Sequence, residues 1–152
     1  MKPIGIKITA QINQSSEEIC AAFLDTNRWA EFKGFSILPG IQKAHFENKT
    51  PELVGSRIKV LNSDGSSHLE EIIEWDVSHR IALRFQDFSA PLQHFATHFI
   101  EVWEFRQSTE GTVVSRSMVM YPKGLFGWLI LVPISKLMKK AFELNLADTV
   151  RK

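Results

Sequence analysis

The chain has 152 residues, with 18 Lys and Arg against 17 Asp and Glu and a formal net charge of +1. That length suits one hydrophobic core, and that balance offers no long-range attraction to nucleic acid or acidic lipid. The single cysteine, Cys20, excludes an internal disulfide, and the start MKPIGIKITAQ lacks an uninterrupted apolar core of signal-peptide length, so one domain over residues 1–152 in a reducing cytoplasm is expected.

Ile4, Ile6, Ile8 and Ala10 alternate with strand-compatible residues and predict a first strand near residues 3–13. Ser15 or Ser16 then caps a helix whose first turn carries Glu17 and Glu18, where carboxylates favour the positive end of the helix dipole. Ile19, Ala22 and Phe23 form its apolar stripe. DTNRW interrupts that pattern, and a second short helix holds Trp29 and Phe32. From Gly40 to Tyr121 the breaks NKTPELVG, NSDGSS, DVSH, DFSAPLQ and STEG separate strands near residues 41–48, 55–62, 67–76, 80–88, 95–107 and 111–121.

The most apolar stretch, GLFGWLILVPISKLMKK, is too short to span a membrane: about 18 consecutive apolar residues are needed, and Pro133, Ser135 and Lys136 break the run from Leu125. Ile134, Leu137, Met138 and Ala141 recur at helical spacing, with Lys136, Lys139, Lys140 and Glu143 turned the other way. The prediction is one long helix from Gly124, or a little later, to about residue 150, entered through an apolar segment that covers the interior. The element order gives an α+β fold in which a curved, seven-stranded antiparallel sheet follows one face of that helix, because a twisted sheet of that width curls around what it covers.

Alternation assigns the residues of the interior. In SHLEEIIEW it groups Leu69, Glu71, Ile73 and Trp75 on the more apolar face, opposite His68, Glu70, Ile72 and Glu74; Glu71 is the exception in its row. Ile58 and Val60 face inward from the strand before, and Ile81, Leu83 and Phe85 from the strand after. Phe95, Thr97, Phe99, Trp103 and Phe105 share a face with Glu101. If the next hairpin turns at Ser108 to Gly111, Trp103 lies opposite Arg116, Glu101 opposite Met118, and Arg116 diagonal to Glu101; a loop one residue shorter sends Arg116 outward. Met118 and Met120 then face the long helix, on which Asn145 continues the stripe of Leu137 and Ala141. Glu71, Glu101, Arg116 and Asn145 are therefore the candidate polar groups of an apolar interior, and a buried carboxylate there needs a partner, a proton or water.

Other chemistry finds less support. His94 and His98 sit at a strand entrance, where their spacing is about 13 Å, too wide for one metal ion. Cys20 reads as a small packed residue, and no GxSxG elbow, Walker glycine pattern or Rossmann glycine pattern occurs. Neither a metal nor another cofactor is expected. Four tryptophans and eleven phenylalanines invite base stacking, but without a basic excess no nucleic acid partner is expected.

The segments SSEEICAAFLDTNRWAEF, LVGSRIKV, EEIIEWDVSHRIALRF, VWEFRQSTEGTVV and YPKGLFGWL, in that order and spacing, resemble the START-like or pollen-allergen-like superfamily, also called SRPBCC or polyketide cyclase/dehydrase. The resemblance covers essentially the whole chain and implies a helix-grip fold with a cavity for an apolar ligand between sheet and helix. It implies no single activity. The expectation is a carrier or binding protein for a hydrophobic small molecule or lipid, gated by loops near residues 34–40, 62–67 and 88–94. An exposed tip at Phe126 and Trp128 beside Lys123, Lys136, Lys139 and Lys140 would allow transient membrane contact. The rivals are a cyclase or dehydratase with Glu71 or Glu101 as acid/base and Arg116 stabilising an enolate, and a protein-interaction module with a filled interior.

Overall fold

The structure is a computed structural model and describes residues 2–151. β1 (Ile4–Ile12) leads to α1 (Ser16–Leu24) and a short 3-10 helix (Thr26–Glu31). Six strands follow: β2 (Ile41–Asn48), β3 (Arg57–Asn62), β4 (Ser67–Asp76), β5 (Arg80–Gln86), β6 (Ala96–Ser108) and β7 (Gly111–Pro122). A 3-10 turn at Leu92–His94 precedes β6, and α2 (Gly124–Arg151) closes the chain. The seven strands form one antiparallel sheet in the order β1-β7-β6-β5-β4-β3-β2. This is the α+β, helix-grip arrangement anticipated above.

Local chemistry explains the boundaries. Ser15 Oγ accepts from the Glu18 backbone N–H, and Glu18 Oε1 accepts from the Ser15 backbone N–H, a reciprocal cap that starts α1. Asp25 ends α1 and caps the 3-10 helix through Asn27 N–H. That second helix is a tight 3-10 turn, with Phe32 at its end. At the β6–β7 hairpin, Gly111 has φ +128°, and a Cβ there would meet the Ile12 carbonyl oxygen at 2.2 Å. Only glycine lets β1 and the hairpin approach so closely.

The apolar segment at Gly124 is not a lead-in; it forms the first turns of α2 itself. Pro133 sits inside the helix, where it supplies no N–H to the Leu129 carbonyl. Gly127 lies so close to the backbone before β6 that a Cβ would fall 2.3 Å from the Phe95 carbonyl oxygen, so the start of α2 is seated directly on that segment.

α2 packs on β1 and β7. One closed core lies beneath it, with Val114, Met118, Met120, Leu131 and Leu146 almost fully buried. A second, Ala44, Ile58, Val60, Ile72 and Leu83, is covered by Phe23 and Trp29 from the two small helices. Phe23 anchors that cover, 5.1 Å from the Trp29 ring, 6.1 Å from Trp75 and 6.3 Å from Trp103. Cys20 is buried in the first core, and burial pushes its thiol up to about 11, with Glu17 and Asp76 acting in the same direction. It packs as an apolar residue and is a poor nucleophile.

Candidate functional site

Because α2 sits over β1 and β7, the sheet curves away from it beneath β4, β5 and β6, and a cavity of about 410 Å³ remains. Its walls are mostly apolar, with Phe85, Phe99 and Trp103 from the sheet and Ile134, Leu137 and Phe142 from α2. Its rim comes from the segments expected to gate it: Ile37, Leu38 and Pro39; Asn62, Asp64 and Ser66; and Phe88, Pro91 and Leu92.

Two buried polar clusters line the cavity. In the first, Arg116 Nε–H donates to Glu101 Oε2 at 2.5 Å and Arg116 Nη1–H donates to Asn145 Oδ1 at 3.0 Å. The guanidinium carbon lies 3.7 Å from the Phe142 ring centroid and 4.6 Å from that of Trp103. Arg116 is thus fixed by a carboxylate, an amide and two aromatic faces, a setting suited to its planar group. The register is the anticipated one, with Trp103 opposite Arg116 and Glu101 opposite Met118. The hairpin closes at the Ser108–Gly111 pair, which keeps Arg116 inside.

The second cluster is His68 and Glu70. His68 Nε2 lies 2.9 Å from Glu70 Oε2, and the imidazole stacks on Phe85 at 5.1 Å and 11°. Asn62 Nδ2 lies 3.4 Å from His68 Nδ1. An amide N–H can only donate, so Nδ1 is the acceptor and the ring proton sits on Nε2, directed at Glu70. Burial pushes the Glu70 carboxyl above the ordinary carboxylate range; the hydrogen bond from His68 pulls it down, nearby Glu101 raises it, and Arg116 lowers it.

Here the structure corrects the expected face of β4. At the hairpin end Trp75 pairs with Ile81, as alternation predicts, and packs on Phe23. One extra residue at Ile73 then bulges, so Ile72 faces Leu83 and Glu70 faces Phe85. A bulge inverts the face of everything beyond it. Glu71 therefore points away from the cavity and pairs with Arg57, its Oε1 3.4 Å from Arg57 Nε, while Glu70 and His68 face in. Ile73 leaves the interior row. A second irregularity, between Ala96 and His98, puts Thr97 on the exposed side, where its hydroxyl donates to the Tyr121 carbonyl.

Of the predicted interior residues, Phe85, Phe99, Glu101, Trp103, Arg116, Leu137 and Asn145 line the cavity together. Ile58, Val60, Leu83, Met118, Met120 and Ala141 do not; they are buried at 1% exposure or less. Trp75 lies beside them, partly buried. Their side chains meet the packed side, where α2 or the small helices touch the sheet. The segment Leu125–Pro133 does not simply cover the interior either: Phe126 is 79% exposed and Leu125 and Leu129 over half exposed, whereas Ile130 lines the rim. Trp128, expected to be partly exposed beside Phe126, is of intermediate exposure.

Residues 3–152 match the sequence profile of the family described as polyketide cyclase / dehydrase and lipid transport, and the chain belongs to that family. No curated protein sequence matches. A Thermus thermophilus protein of known structure superimposes with a TM-score of 0.72 at 17% identity, covering 97% of this chain and 95% of that one. A START superfamily protein from Mycobacterium smegmatis gives 0.68 at 14% identity, covering 95% and 92%. The di-domain ARO/CYC StfQ of the steffimycin biosynthetic pathway gives 0.72 at 12% identity, covering 98% of this chain and 50% of that chain. At such identities the likeness establishes the fold and leaves the ligand open.

Proposed function

We propose that this protein binds and carries a hydrophobic small molecule or lipid in the cavity between the sheet and α2. The observation that carries the reading is the cavity itself: about 410 Å³ of space with apolar walls and a few converging polar groups, within the usual range of small-molecule sites. Apolar ligand surface buried against Phe85, Phe99, Leu137 and Phe142 would stabilise the complex by roughly 25 cal/mol per Å², and the polar clusters would set orientation. A hollow interior also favours a ligand over the protein-interaction alternative. The segments at Ile37, Asp64 and Leu92 border the path by which a ligand would enter.

The test is native mass spectrometry of the purified protein, followed by organic extraction of whatever leaves with it. A bound apolar molecule, or saturable uptake of an apolar fluorescent probe blocked by Ile134→Trp, supports the reading. A protein that arrives empty and takes up no such probe overturns it.

A second reading, transient membrane contact, has its own support. The outward side of the first turns of α2 presents Leu125, Phe126 and Leu129, with Ile130 reaching the cavity rim. From Lys123 to Phe142 the sequence holds four lysines and no acidic residue. An apolar tip beside positive charge, continuous with a cavity mouth, suits an anionic bilayer surface from which a ligand is collected.

A further inference from the structure

The polar groups of the cavity carry an inference about what the ligand presents to them; it rests on the binding function proposed above. Arg116 offers no free positive charge, since Glu101 is bound to its Nε and Asn145 to its Nη1. Arg116 is the one buried Lys or Arg among the described residues that line this space, so a carboxylate or phosphate on the ligand would find the guanidinium charge already neutralised by Glu101.

Glu70 is 3% exposed, and its Oε2 already accepts from His68 Nε2–H. The orientation of that donor is held by Asn62 on the far side of the ring and by the stack on Phe85. When the carboxyl holds a proton, that proton belongs on Oε1, which has no hydrogen-bond partner among the described residues. Burial favours this protonated form. The group is then a neutral O–H donor held at the cavity wall, and Arg116 has further N–H groups beyond the two that Glu101 and Asn145 occupy. Donors are supplied, negative charge is disfavoured, and the surrounding walls are aromatic or aliphatic.

We propose that Glu70, oriented by His68, receives a neutral carbonyl oxygen, such as that of a ketone, quinone or ester on an otherwise apolar molecule, and acts there as the hydrogen-bond donor. No bond is made or broken in this role; Glu70 positions the ligand.

The experiment titrates three probes of equal length into the full chain at neutral pH by calorimetry: 2-undecanone, its hydrocarbon isostere 2-methyl-1-undecene, and undecanoate. The ketone is expected to bind about fivefold or more tightly than the hydrocarbon, the gain typical of one net hydrogen bond in a dry site, and undecanoate is expected to bind more weakly than the ketone. Glu70→Gln retains both geometry and donor, because its amide oxygen can accept from His68 while the NH2 faces the cavity, so the ketone preference should survive. Glu70→Met should bring the ketone within about twofold of the hydrocarbon while hydrocarbon affinity holds. Undecanoate binding as tightly as the ketone, or Glu70→Gln losing as much as Glu70→Met, overturns the proposal. Hydrocarbon binding without a ketone preference sinks this inference alone, whereas failure of all three probes sinks the binding function with it.

Discussion

Arg116 on β7 and Glu101 on β6 are joined by a 2.5 Å hydrogen bond across one hairpin, both under 10% exposed and both at the wall of the same cavity. A buried ion pair of this kind is weak evidence for net stability, because desolvation of the two ions offsets their attraction. Removing one partner is a different matter. Arg116→Met leaves Glu101 buried without its cation and should lower the unfolding free energy by about 3–5 kcal/mol in urea titrations. Adding Glu101→Gln to that variant should recover part of the loss. Strict additivity of the two substitutions would show that the pair is not coupled as the geometry requires.

The pair was legible in the sequence because a short hairpin with its turn at Ser108–Gly111 fixes which residues oppose each other, and Asn145 follows from helical periodicity alone. Glu70 was not legible from alternation, since a single bulge at Ile73 exchanges the roles of Glu70 and Glu71. A signal did exist in the cross-strand charges: with Glu71 outward, it stands opposite Arg57 on β3 and Arg84 on β5. Likewise, alternation identifies Met118 and Leu83 as inward but cannot separate packed core from cavity wall. That difference depends on where α2 crosses the sheet, which is set by contacts far apart in sequence.

Packed core and cavity wall should respond differently to truncation. Met118 is fully buried in the closed core, so Met118→Ala should cost about 2–5 kcal/mol. Leu137 already borders open space, so Leu137→Ala should cost about 2 kcal/mol or less, since part of its surface has no neighbours to lose. Equal losses in thermal or urea unfolding would mean that the space beside Leu137 is closed in solution.

Glu70 gives the stability a characteristic pH dependence. Its carboxyl is raised on folding, mainly by burial, so between its unfolded and folded values the native state binds more protons than the unfolded one. The contribution of Glu70 is therefore fully present below the ordinary carboxylate value and is lost as pH rises through the folded value. Glu70→Gln removes this term, and its stability relative to the parent protein should increase with pH above about 4.5. Asp76 has the opposite sign: the Ser78 backbone N–H and then His79 hold its carboxyl below the usual range, so its contribution is lost only as pH falls through that lowered value. Parallel pH profiles for the parent and Glu70→Gln would contradict the burial of an ionisable group at this position.

The exposed turns of α2 can be tested without disturbing the cavity. Phe126 is 79% exposed and Leu129 51% exposed, so changing both to Ser removes apolar surface that the fold does not use. If this face meets a bilayer, cosedimentation with phosphatidylserine-rich vesicles should fall by about tenfold or more, since each side chain contributes on the order of 1.5–3 kcal/mol when buried. Lys136→Glu with Lys139→Glu should weaken binding to the same vesicles, and raised salt should reproduce that loss, because the attraction of exposed lysines to anionic lipid is screened. Uptake of a water-delivered apolar probe should remain unchanged in both variants, because the residues lining the cavity are intact. Vesicle binding that ignores all four substitutions would move the contact elsewhere on the molecule, and loss of probe uptake would mean that these residues serve the cavity rather than a membrane.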